Sequence, residues 1–113
     1  MNMNETLGHV TKYFAGTREF GELKRAEHAL RQNPKAGALV DQFRQKEQTV
    51  YTTYQGKISA LKMKSLIDEL GSDYEKLTAI PEIRNYFTAT ERFNAAVEEF
   101  MQGVNQNMRK ELE

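Results

Sequence analysis

The side chains of this 113-residue chain that could carry chemistry are few and scattered. His9 and His28 are its only histidines, and neither has a second histidine three or four residues away to complete a metal pair on one helix face. The Glu-x-x-His spacing with which helical bundles hold two iron ions is missing as well. Both histidines therefore read as surface or boundary residues. Asp68, Glu69 and Asp73 gather around Gly71, but the alternating ligands and closing glutamate of a calcium loop are lacking, so the cluster reads as a solvated helix face with a glycine kink. Glu98 and Glu99 could work as an acid–base pair only in surroundings that push their pKa values apart. Nothing in the neighbouring sequence does so, and they read as the wet side of a helix.

A cysteine count of zero excludes disulfides, thiolate nucleophiles, cysteine-bound zinc and iron–sulfur clusters. The glycines are dispersed, whereas a phosphate cradle needs them clustered between a strand and a helix. No serine sits in a Gly-x-Ser-x-Gly elbow. The expectation is a protein without catalytic residues, metal or cofactor, and so one that is not an enzyme.

Sixteen basic and sixteen acidic side chains cancel, leaving no overall field to draw the chain onto phosphates or an anionic membrane. Lys24, Arg25, Arg31, Lys35, Arg44 and Lys46 do make the first half mildly positive. An ordinary charged helix surface is the preferred reading, and a docking patch for RNA or an acidic partner is the alternative. Phosphate tracking usually needs a denser stripe with aromatic side chains beside it, so direct nucleic-acid binding is not expected to be the main activity. The first ten residues lack the basic region and apolar run of a secretory signal, and no stretch is apolar for the roughly 18 residues a membrane span requires. A cytoplasmic location without membrane contact is the simplest expectation.

The chain is rich in good helix formers, and its punctuation falls singly between them. One all-helical domain over residues 1–113 is expected, of about five helices in elongated antiparallel hairpins. Asn4 can cap a first helix from Glu5 to Ala15, with Leu7, Val10 and Phe14 on one stripe. Gly16 and Thr17 interrupt it, and Phe20, Leu23, Ala26 and Leu30 resume the spacing from Arg18 to Gln32. Asn33-Pro34 forces a corner, because a residue before proline avoids the helical region while proline suits the first helical position. A third helix from Pro34 to Gln55 carries Leu39, Phe43, Val50 and Tyr54. Its run Thr49 to Tyr54 has strand-like local propensity, overruled by the surrounding 3.6-residue period. Gly56 to Ser59 is a connection. Leu61, Met63, Leu66, Ile67, Leu70, Tyr74 and Leu77 mark a fourth segment to Ala79, either one helix kinked at Gly71 or two, since Ser72 and Glu75 have capping-box spacing.

Pro81 opens the last and strongest pattern, Ile83, Tyr86, Phe87, Thr90, Phe93, Val97, Met101, Val104 and Met108. A helix from there to Arg109 is roughly 40 Å long, more than a compact domain of this size needs. Thin hairpins leave apolar stripes partly uncovered, and the same stripe of a second copy is the simplest cover. A homodimer or higher homo-oligomer, associating as a helical bundle, is therefore expected, with Tyr86, Thr90, Phe93, Asn94, Val97 and Met101 as the self-association surface. Asn94 reads either as a register-setting polar contact or as a boundary amide bonded to water. The order Leu30-x-x-Asn33-Pro34 and then Leu39-Val40 is echoed by Leu77-x-x-Ile80-Pro81 and then Tyr86-Phe87, which suggests two similar helical elbows.

Five stretches in this order carry a resemblance: Arg18-Glu19-Phe20, Leu30-Arg31-Gln32-Asn33-Pro34, Leu39-Val40-Asp41-Gln42-Phe43, Pro81-Glu82-Ile83-Arg84 and Thr90-Glu91-Arg92-Phe93-Asn94. Their ordered spacing, from about Asn4 to Met108, resembles the YlbF/YmcA/YheA family of small bacterial helical proteins. The resemblance implies an all-α fold that self-associates. For the YlbF and YmcA branches it further implies a regulatory role in competence, sporulation and biofilm formation, as adaptors that assemble with partner proteins and influence ribonuclease Y and messenger RNA processing. Those branches carry an iron–sulfur connection through cysteines. The absence of cysteine here points toward the YheA-like branch.

Overall fold

The computed structural model describes residues 1–56 and 58–113. It is all-α, with five helices and no strand among the described residues: α1 (Met3–Ala15), α2 (Arg18–Arg31), α3 (Pro34–Tyr54), α4 (Ala60–Thr78) and α5 (Pro81–Glu111). The expected connection Gly56–Ser59 contains Lys57, which lies outside the described residues. Contacts divide the chain into two compact units, Met1–Glu27 with Tyr86–Glu113, and His28–Asn85. Both boundaries fall within helices, α2 and α5.

The His28–Asn85 unit is built on two proline elbows with the same hydrogen bonding. At the first, the Asn33 amide donates to the Leu30 carbonyl at 3.1 Å, and Gly37 donates back to Asn33 at 2.9 Å. At the second, Ile80 donates to Leu77 at 3.0 Å, and Arg84 donates back to Ile80 at 3.0 Å. The leucine three residues before each corner is buried, as is the residue two places after each proline: Leu30 with Ala36, and Leu77 with Ile83. Asn33 also accepts from the Ala36 amide at 3.2 Å, supplying the cap that lets proline occupy the first turn of α3. Gly37 is buried where the Arg31 side chain crosses it, and an added Cβ there would come within 3.0 Å of the guanidinium.

Helices α3 and α4 pack as an antiparallel hairpin. Phe43 and Tyr74 rings lie 6.2 Å apart near its base, and Lys46 on α3 reaches both Glu69 and Asp73 on α4. Ser59 caps α4 by accepting from the Lys62 amide at 3.2 Å. Helix α4 runs unbroken through Gly71, so of the two sequence readings the single helix holds. The capping-box spacing of Ser72 and Glu75 goes unused. The β-branched run in α3 is helical, as the surrounding period predicts, and its hydroxyls bond back within the helix: Thr49, Thr52 and Thr53 donate to the carbonyls of Gln45, Gln48 and Thr49 at 2.8–3.0 Å.

In the other unit, α1 begins two residues earlier than its spacing predicts. Asn2, not Asn4, is the cap, its side chain accepting from the Glu5 amide at 2.8 Å. Thr17 closes the turn before α2. Its hydroxyl donates to the Phe14 carbonyl at 2.6 Å and accepts from the Phe20 amide at 3.3 Å. Phe87 and Ala89 are the buried apolar residues of this unit, and Ala89 is one that the predicted stripe leaves out.

Candidate interaction surface

The last helix carries the six residues that its pattern marks for self-association. Phe93 is half-buried, with its ring 6.0 Å from Phe14 on α1 and 5.5 Å from Phe20 on α2. Phe14 also meets Phe100 edge-on at 5.3 Å. Edge-to-face rings at these separations attract through their quadrupoles in addition to the area they cover. Phe93 therefore holds α1 and α2 of its own unit to α5. Val97, Tyr86 and Thr90 are half-buried, and the Thr90 hydroxyl donates to the Tyr86 carbonyl at 2.9 Å. Asn94 and Met101 are exposed. Further along, Val104 and Met108 are exposed too, so the apolar stripe continues past the part that this unit covers.

The second surface lies on the α3–α4 hairpin, away from the elbows. No described side chain between Arg44 and Leu70 is buried. A groove of about 570 Å³ runs there, lined on α3 by Val50, Tyr51 and Tyr54 and on α4 by Met63, Ile67 and Leu70, with Arg44 and Glu47 at one end. Tyr51, Tyr54 and Ile67 are each more than half exposed, at 60%, 69% and 55%. The sequence places Val50 and Tyr54 on a core stripe, and this groove was not foreseen. Its signal was the apolar spacing Val50, Tyr54 on one helix and Met63, Ile67 on the next. Periodicity shows that such residues share a face and not whether anything covers it.

The charged residues largely answer one another within each unit. Arg31 makes a two-pronged pair with Asp41, both prongs at 3.0 Å, and this bond holds the Asp41 carboxyl below its ordinary pKa. The hydrogen bonds that the Lys46 ammonium donates to Asp73, and then to Glu69, hold its pKa above the ordinary value. Arg44 pairs with Glu47 at 2.9 Å, and Lys24 stands 5.9 Å over the Phe20 ring. Four of the six basic residues considered as a patch are thus engaged with acids or an aromatic face. The acidic cluster around Gly71 is also divided: Glu69 and Asp73 both pair with Lys46 across the hairpin, with Asp73 half-buried, while Asp68 and Glu69 keep the solvent exposure that the sequence implies for all three. His9, His28, Glu98 and Glu99 are exposed. Among the described residues no group of three or more potential ligands could hold a metal ion, and no helix is long and apolar enough to cross a membrane.

These features define a class: an all-α protein that presents apolar helix faces on a charge-balanced surface. Within that class the chain belongs to the family described as control of competence regulator ComK, YlbF/YmcA, which it matches over residues 5–113. It is thus a member of a family of regulators. Comparison with individually curated proteins gave no match.

Proposed function

We propose that this chain is a non-enzymatic, cytoplasmic regulatory adaptor that acts by binding proteins, as a homodimer or higher homo-oligomer. The observation that carries the reading is the pair of exposed apolar tracts on regular helices, the α3–α4 groove and the open end of the α5 stripe. Monomeric proteins rarely leave contiguous apolar patches uncovered, and such patches mark association sites. The family's description supports control of competence as the process. Influence on sporulation, biofilm formation or ribonuclease Y-dependent processing of messenger RNA is the finer form of the proposal. The absence of cysteine supports a place near the YheA-like branch.

Affinity capture of the full chain from its native cell, with and without nuclease, tests the adaptor role. Protein partners that persist after nuclease are the expected result. Partners that vanish with the RNA, together with RNA binding that weakens steeply as salt rises, would establish direct RNA recognition in its place.

A further inference from the structure

We infer that the groove along the distal α3–α4 hairpin is the docking site for an acidic amphipathic helix of a different protein. The apolar stripe of that helix lies between α3 and α4, and its carboxylates meet the lysines at the hairpin tip. The inference rests on the proposed adaptor role and names the chemistry of the partner.

The groove has the form of a helix seat. Met63, Ile67 and Leu70 recur on α4 at three- and four-residue spacing and so share one face, with Tyr51 and Tyr54 lining the α3 side. Toward the tip the groove continues as a second hollow of about 420 Å³, which shares Tyr54, Met63 and Ile67 with the first and reaches Ile58 and Ala60. From Ala60 to Leu70 its α4 side runs about 15 Å, the length of about three helical turns. An apolar trough between two helices takes the apolar face of a third, through anchors at i, i+3, i+4 and i+7. The thioether of Met63 and the two phenol rings give such a seat an adaptable lining. A flat bilayer surface would meet the tip of the hairpin and leave the trough unfilled.

Charge then selects among helices. From Gln48 to Ile67 the sequence holds Lys57, Lys62 and Lys64 and no acidic residue, in a chain whose charges cancel overall. Lys62 and Lys64 are exposed, and Lys64 lines the hollow at the tip. Among the described residues neither is paired with an acid, and Asp68, one turn beyond Lys64, lies outside the groove lining. At the far end Arg44 and Glu47 answer each other, and Glu69 and Asp73 are held by Lys46. The unanswered charge on the groove is therefore positive. A basic helix would be repelled at the tip, whereas an acidic one is drawn in and fixed in direction. A polynucleotide needs cations along the whole trough, and here the lining between the ends is apolar.

Fluorescence anisotropy of the full chain with two labelled synthetic helices tests the inference. One carries leucines at i, i+3, i+4 and i+7 with glutamates on its other faces, and the second has lysines in place of the glutamates. The acidic helix should bind at micromolar concentration, about tenfold more tightly than the basic one, and should weaken as salt rises. Lys62→Glu combined with Lys64→Glu should reverse that preference, and Ile67→Asp should abolish binding of either helix by burying an unpaired charge. Helicity by circular dichroism should stay unchanged in both variants. No binding of the acidic helix, or equal binding of the two, overturns the inference. Binding of phosphatidylglycerol vesicles or of a single-stranded RNA oligonucleotide through the same lysines, with neither helix bound, overturns it in favour of a lipid or a nucleic acid. Dimerisation that Ile67→Asp abolishes, with neither helix bound, overturns it in favour of a second copy. In affinity capture, protein partners lost in both variants and displaced by the acidic helix support it. Partners that persist in both variants keep the adaptor reading and overturn the groove, and a chain that captures no protein overturns both.

Discussion

Leu30 is fully buried at the first elbow, and the Arg31 side chain next to it crosses Gly37 to reach Asp41. Leu30→Ala should lower stability by about 2–5 kcal/mol in chemical denaturation, the range for opening a cavity at a closed leucine site. The Arg31–Asp41 pair is solvent-exposed, so its effect is small and is best seen in its pH dependence. Because the folded-state pKa of Asp41 is lowered, the pair stabilises above the ordinary carboxylate range and is lost as pH falls through the lowered value. Melting temperatures of Asp41→Asn and wild type should differ near neutrality and converge in acid. Lys46 has the opposite sense: its raised pKa gives stability present below the ordinary lysine value and lost as pH rises through the raised one. Local chemistry at this scale was legible where it depends on neighbours in sequence, as at Asn33-Pro34. The Lys46 clamp was not, because Glu69 and Asp73 are 23 and 27 residues away and only the hairpin brings them together.

All five helices follow from the spacing of apolar residues and from Gly16, Pro34, Gly56 and Pro81 between them. What the spacing could not show is which stripes are covered. Helix α3 keeps one periodic pattern from Leu39 to Tyr54, yet its first part is buried at Val40 and Phe43 and its last part is open at Tyr51 and Tyr54. Helix α5 behaves in the same way, buried at Ile83 and Phe87 and exposed at Met101, Val104 and Met108. A pattern records the residues that share a helix face, whereas cover depends on whether another element packs over that face. On α5, a Cβ added at Gly103 meets nothing within 4 Å. Gly103→Ala should therefore raise stability by about 0.5–1 kcal/mol through reduced backbone entropy of the unfolded chain. Phe14 on α1 is set against both Phe93 and Phe100. Phe14→Ala should speed hydrogen exchange of the α1 amides well before the α3–α4 amides respond.

At the scale of the molecule, charge balance, the scatter of titratable groups and the exposed apolar tracts point to a protein that works through the surfaces of its helices. The sequence made the fold class and the family legible, since both are written in the order and spacing of helical stripes. The groove between Tyr51, Tyr54, Met63 and Ile67 was hidden because it depends on two helices meeting and a third layer being absent. The central claim is that the chain acts by holding proteins together, and affinity capture from the native cell with nuclease treatment tests it most directly. The account predicts protein partners retained after nuclease and recovered in proportion to the bait. Recovery of RNA with no protein that survives nuclease would contradict it.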